Sequence, residues 1–134
     1  MANVMYDPGR DAFLNGDIDY TNDTIRVYLV DTDDYTFSAA HQYLSSVAAG
    51  GRVAYAALAG KTTAAGVADA TDTVLSSVSG DVSEALVLCS WSGVDSSSPL
   101  IGYIDTASAG LPVTPNGGDI TITWDSGANK IFKL

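Results

Sequence analysis

Cysteine, histidine and glutamate occur once each in this chain of 134 residues, as Cys89, His41 and Glu84. A lone cysteine excludes an intrachain disulfide, and with it a disulfide scaffold or a cysteine-rich metal site. A zinc centre or a Ser-His-Asp triad would have to use His41, and the sequence points to no partners for it. Basic residues are scarce too: six Lys and Arg stand against sixteen acids, a formal net charge of −10. Binding nucleic acid through its phosphates needs a basic patch, so that function class is disfavoured. No apolar run approaches the roughly 18 residues of a membrane-spanning helix. A phosphate-cradling glycine loop is missing as well, since Gly50-Gly51 and Gly117-Gly118 read as turns.

What is present favours strands. Hydrophobic residues make up 46% of the chain, enough for a real core and too many for a disordered segment. The length suits one domain, residues 1–134, able to bury roughly two-thirds of its unfolded surface without a staple. Fifteen of the sixteen acids are Asp. Asp prefers turns and caps and Glu prefers helix interiors, so the bias indicates a loop-rich β protein.

Taken in order, Asp7-Pro8-Gly9-Arg10 opens a short helix with Asp7 as N-cap and Pro8 at the first helical position, stopped at Asn15-Gly16. Ile25, Val27 and Leu29 alternate with Arg26, Tyr28 and Val30, which predicts a two-faced strand. Ser38 is expected to cap a second short helix through Leu44. Val53 to Ala56 reads as a strand, Lys61 to Ala70 as a strand or loose hairpin about Gly66, and Val74 to Val78 as a strand. Ala85 to Trp91 is apolar on both faces, as in a strand covered on both sides. Leu100 to Ile104 repeats that pattern, and the two are expected to pair antiparallel. The last third, Pro99 to Leu134, carries the clearest strand signals, above all Ile120, Ile122 and Trp124 alternating with Thr121 and Thr123, then a short terminal strand at Ile131 to Leu134. The expectation is a mainly β, antiparallel β-sandwich or jelly roll of seven or eight strands with one or two short helices.

Candidate chemistry is thin. Asp17, Asp19 and Asp23 precede the first strong strand and Asp31, Asp33 and Asp34 follow it. Calcium takes oxygen ligands from such loops, but their order does not match a calcium-loop motif. About seven strand residues, roughly 20 Å, would separate the two groups, so they cannot form one site. Turn and cap roles are the expected ones. Cys89 lies within an apolar strand and reads as a small buried thiol. Cys89-Ser90-Trp91-Ser92-Gly93 lacks the leading glycine of a nucleophile elbow. Tyr6, Tyr20, Tyr28 and Tyr35 are candidates for an exposed interface, because Tyr is favoured there. No catalytic, cofactor-binding or metal residue is assigned, and no cofactor is expected. The first sixteen residues lack the basic start and apolar run of a signal peptide, so synthesis and folding in a cytoplasm are expected.

Several segments carry a family likeness. Asn15-Gly16-Asp17-Ile18-Asp19 and Asp23 to Asp31 resemble the opening of a family of small virion proteins of tailed bacteriophages. Tyr43-Leu44-Ser45, Glu84 to Leu88, Pro99 to Asp105 and Asn116 to Trp124 are similar to the rest of it, and Val47 to Ala70 matches least. The resemblance implies a non-enzymatic structural protein, a capsid decoration (cement) protein on the capsid exterior. It also implies the major capsid protein as partner and self-association as a homo-oligomer; from the acidic charge and the lack of a long apolar run, no nucleic acid or membrane partner is expected. The alternatives are a tail, neck or tail-tip component, or a calcium- or glycan-binding adhesion module. Residues Met1 to Tyr6 or Lys130 to Leu134 are expected to take part in contacts, since both termini carry apolar side chains.

Overall fold

In a computed structural model, residues 3–107 and 110–134 are described. The first element is a two-residue strand, β1 (Val4–Met5), followed by helix α1 (Asp7–Leu14). Three strands then supply the middle of the molecule: β2 (Ile25–Val30), β7 (Ala85–Ser90) and β8 (Leu100–Ile104). With β1 and β3 (Arg52–Ala57) they form a five-stranded antiparallel sheet in the order β1-β8-β7-β2-β3. β7 lies in the centre, and all six of its residues are buried. This is the reason its sequence lacks alternation: neither face meets water.

The two faces of that sheet build two cores. Ile25, Val27 and Leu29 join Leu86, Leu88 and Ile101 on one side. Tyr28 and Val30 join Ala85, Val87, Cys89, Leu100 and Tyr103 on the other. A register shift between Leu88 and Cys89 opposite β8 explains why Leu100 and Tyr103, three residues apart, share a face.

Two small sheets cover the first face. One is β10-β5-β4, from β4 (Thr62–Ala64), β5 (Val67–Asp69) and β10 (Phe132–Lys133), and the other pairs β6 (Thr73–Leu75) with β9 (Ile120–Ile122). Irregular chain and 3-10 turns between residues 31 and 51 cover the second face, through Tyr35, Leu44 and Val47. The result is mainly β and sandwich-like, with one short α-helix, as the composition predicts. β4 and β5 turn at Ala65-Gly66, both at positive φ (51° and 77°), as a two-residue type I′ hairpin requires.

Several expectations are corrected. Tyr6, not Asp7, is the N-cap of α1, and it makes no side-chain cap bond. Asp7 is the first helical residue and its carboxylate pairs with Arg10. The helix is held instead by backbone bonds, Tyr6 N–H to Ile101 O (3.1 Å) and Asp7 N–H to Ala39 O (2.8 Å). Ser38 to Leu44 is not a helix: Gln42 O accepts from Leu100 N–H (2.9 Å) and Leu44 N–H donates to Ser98 O (2.9 Å), so this backbone is spent on the strand beside it. The last third is not one scaffold, since β8, β9 and β10 belong to three different sheets. The apolar termini also have intramolecular causes: Val4 and Met5 pair with Tyr103 and Gly102, and Phe132 stacks against Phe13 and Tyr20. Of the expected arm contacts, Met1 and Ala2 lie outside the described residues.

Candidate interaction surface

The four tyrosines singled out from the sequence, Tyr6, Tyr20, Tyr28 and Tyr35, are all buried. The exposed one is Tyr55, 56% accessible on edge strand β3. Register places Tyr55 opposite Tyr28, with ring centroids 5.3 Å apart. Arg26, two residues before Tyr28, points from the same face of β2. Its guanidinium carbon lies 4.4 Å from the Tyr55 ring and 4.1 Å from the Trp91 ring. Trp91 is held just past β7 by its own N–H, which donates to Thr24 O (2.8 Å). Arg26 also donates to Tyr28 Oη (3.3 Å).

On the far side of Tyr28 stands Arg52, its guanidinium carbon 5.9 Å from that ring. Arg52 donates to Val47 O (2.7 Å) and to Asp95 Oδ2 (2.9 Å). Trp91, Arg26, Tyr55, Tyr28 and Arg52 thus set three rings and two cations side by side along the β2–β3 pair. Cation–ring contacts of this kind contribute about 0.5–1 kcal/mol when exposed and more when water is excluded. Burial raises the pKa of Tyr28, against which the Arg26 bond and the two cations pull it down. Two of the six basic residues of an acidic chain therefore meet on one aromatic patch. The sequence signal was Arg26 alternating with apolar neighbours, but only strand pairing brings Tyr55 and Trp91 to it.

The other candidates are brought into different company. His41 Nδ1 lies 2.8 Å from Tyr35 Oη, which lies 2.9 Å from Tyr6 Oη, so this imidazole closes a buried tyrosine chain. Burial pushes the Cys89 thiol up to about 12, despite the opposing pull of Arg26 and Arg52, so a thiolate nucleophile is disfavoured. Asp19 and Asp23 cap their own turn. Asp19 accepts from Asn22 Nδ2 (2.7 Å) and Thr21 Oγ1 (3.1 Å), bonds that lower its pKa, with Asn22 contributing most. Asp23 accepts from Asp19 N–H (2.9 Å). Asp17 is exposed. Asp33 uses its N–H on Asp31 Oδ1 (2.9 Å). Asp31 and Asp34 do converge with a third carboxylate, Asp81, their oxygens within 4.8 Å of one another. Sequence order could not have suggested Asp81, which arrives from a distant loop.

Between the layers a cavity of about 700 Å³ is lined by Leu86, Leu88, Ile122, Trp124, Ile131 and Phe132 among others. It lies where β9 and β10 fail to join into one sheet.

No protein-family model matches the chain, and no curated protein matches it.

Proposed function

We propose that this protein is a non-enzymatic structural component of a tailed-bacteriophage virion, a decoration protein that docks on the assembled major capsid shell. The observation that carries the docking is Arg26 packed against the Trp91 ring and the ring of Tyr55, which is exposed on edge strand β3. Arg, Tyr and Trp are the residues most enriched where partner surfaces meet. The resemblance of Asp23 to Asp31, Pro99 to Asp105 and Asn116 to Trp124 to small virion proteins supplies the partner.

The physics of such a role fits the molecule. A net charge of −10 keeps copies soluble and away from packaged DNA. Binding to the assembled shell and not to its separated subunits stabilises the shell by mass action. Many copies share that task, so each contact can be modest in area. Quantitative mass spectrometry of purified virions should count hundreds of copies per particle, in proportion to the major capsid protein. Three, six or twelve copies would refute the decoration role and favour the tail or neck.

A further inference from the structure

We infer that the docking partner places a carboxylate, from an Asp or Glu side chain of the shell protein, on the open edge of the Arg26 guanidinium. The inference rests on the decoration reading and names the chemistry of its contact.

Two rings pack against this guanidinium, Tyr55 at 4.4 Å and Trp91 at 4.1 Å from its central carbon. Its N–H edge is where a planar anion would meet it. Arginine carries five N–H donors, and Tyr28 Oη takes one of them at 3.3 Å. Among the described residues the other two arginines each have a carboxylate, Asp7 for Arg10 and Asp95 for Arg52, and Arg26 has none. That is unexpected in a chain where acids outnumber bases sixteen to six.

A planar fork packed against two rings is already ordered and partly desolvated, so little side-chain entropy is lost when an anion arrives. Carboxylate matches the fork bidentately. A nucleic-acid phosphate would match it too, but the −10 body repels a polyanion. The same charge requires that the partner's acid stand in an otherwise neutral or basic patch. Exposed Tyr55 would then cover the pair and keep water from it.

The test uses shells lacking this protein, titrated with the wild-type chain, Arg26→Gln and Arg26→Lys. Arg26→Gln should bind at least ~30-fold more weakly, the usual consequence of removing one member of a desolvated charge pair. Binding within about threefold of wild type, against that expected loss, would overturn the inference. Arg26→Lys keeps the charge and supplies an amine, so carbodiimide treatment of its complex should join position 26 to an Asp or Glu of the shell protein, read by mass spectrometry. This second variant decides the matter even where Arg26→Gln melts early. A bound Arg26→Lys protein with no such adduct, or with an adduct only to another copy of itself, also overturns the inference. Failure of the wild-type chain to bind shells at all would instead remove the decoration reading.

Discussion

Replacing Gly9 by Ala separates local propensity from tertiary fit. Gly9 is the third residue of α1, and within a helix Ala is favoured over Gly by about 1 kcal/mol. On that ground alone Gly9→Ala would stabilise the protein. The packing says otherwise, because a Cβ built on Gly9 would lie 2.3 Å from Leu100 O and 3.3 Å from Ile101 Cα. A carbon–oxygen contact normally needs about 3.3 Å, so helix and strand must part by about 1 Å. The atoms in the way are backbone of β8, next to the centre of the main sheet, and cannot swing aside. The helix is tied to the same strand through Tyr6 N–H and Ile101 O at 3.1 Å. Overpacking of this kind costs about 1–3 kcal/mol, and weakening the bonds at Tyr6 and Asp7 adds about 0.5–1.5 kcal/mol each. After the gain in propensity the net loss is about 1–5 kcal/mol, centred near 3, or on the order of 10 °C in Tm for a chain of this size. Urea and thermal unfolding of wild type and Gly9→Ala measure it. Gly102→Ala is the control, since its Cβ would meet Val4 O at 3.8 Å and Leu88 Cδ1 at 3.9 Å, ordinary contacts. It should be neutral or stabilising by up to about 1 kcal/mol. A Gly9→Ala variant as stable as wild type, or more so, would refute the argument from close approach.

Two further stability predictions follow from burial. Thr73 Oγ1 is buried with no hydrogen-bond partner among the described residues. Thr73→Val, which exchanges the hydroxyl for a methyl and keeps the β-branch, should raise stability by about 1 kcal/mol; a lower urea midpoint would show that the hydroxyl is satisfied after all. Cys89 is raised by burial from an ordinary 9.0 to about 12. Its contribution to stability is therefore whole below pH 9 and is lost as the pH climbs toward 12, at up to about 1.4 kcal/mol per pH unit. Burial raises Tyr6, Tyr20, Tyr28, Tyr35 and Tyr103 as well, so they add to the same alkaline decline. Urea midpoints should fall steadily above pH 9, and a thiol reagent at pH 8 should react only with unfolded chain. A flat midpoint to pH 11, or rapid labelling of the native state, would contradict the burial of that thiol.

Much of the architecture was legible because periodicity is a local property. Ile25, Val27 and Leu29 alternate with Arg26, Tyr28 and Val30, and those two sets divide between the two faces of the sheet. The unbroken apolar run of β7 marks the central strand, and Gly66 marks the hairpin turn. The failures share one cause. Residues 38–44 suit a helix by themselves, yet their carbonyls and amides are claimed by Ser98 and Leu100, nearly sixty residues away. Tyr28 alternates into a position that looks like surface, and the chain from 31 to 51 buries it. The interaction surface is the extreme case. Trp91, Arg26 and Tyr55 come from three strand contexts, and a one-residue slip in either pairing would send a ring to the opposite face. Alternation, turn chemistry and charge were therefore set along the chain, whereas the company of Arg26 was decided by register, a relation between segments that no single segment contains.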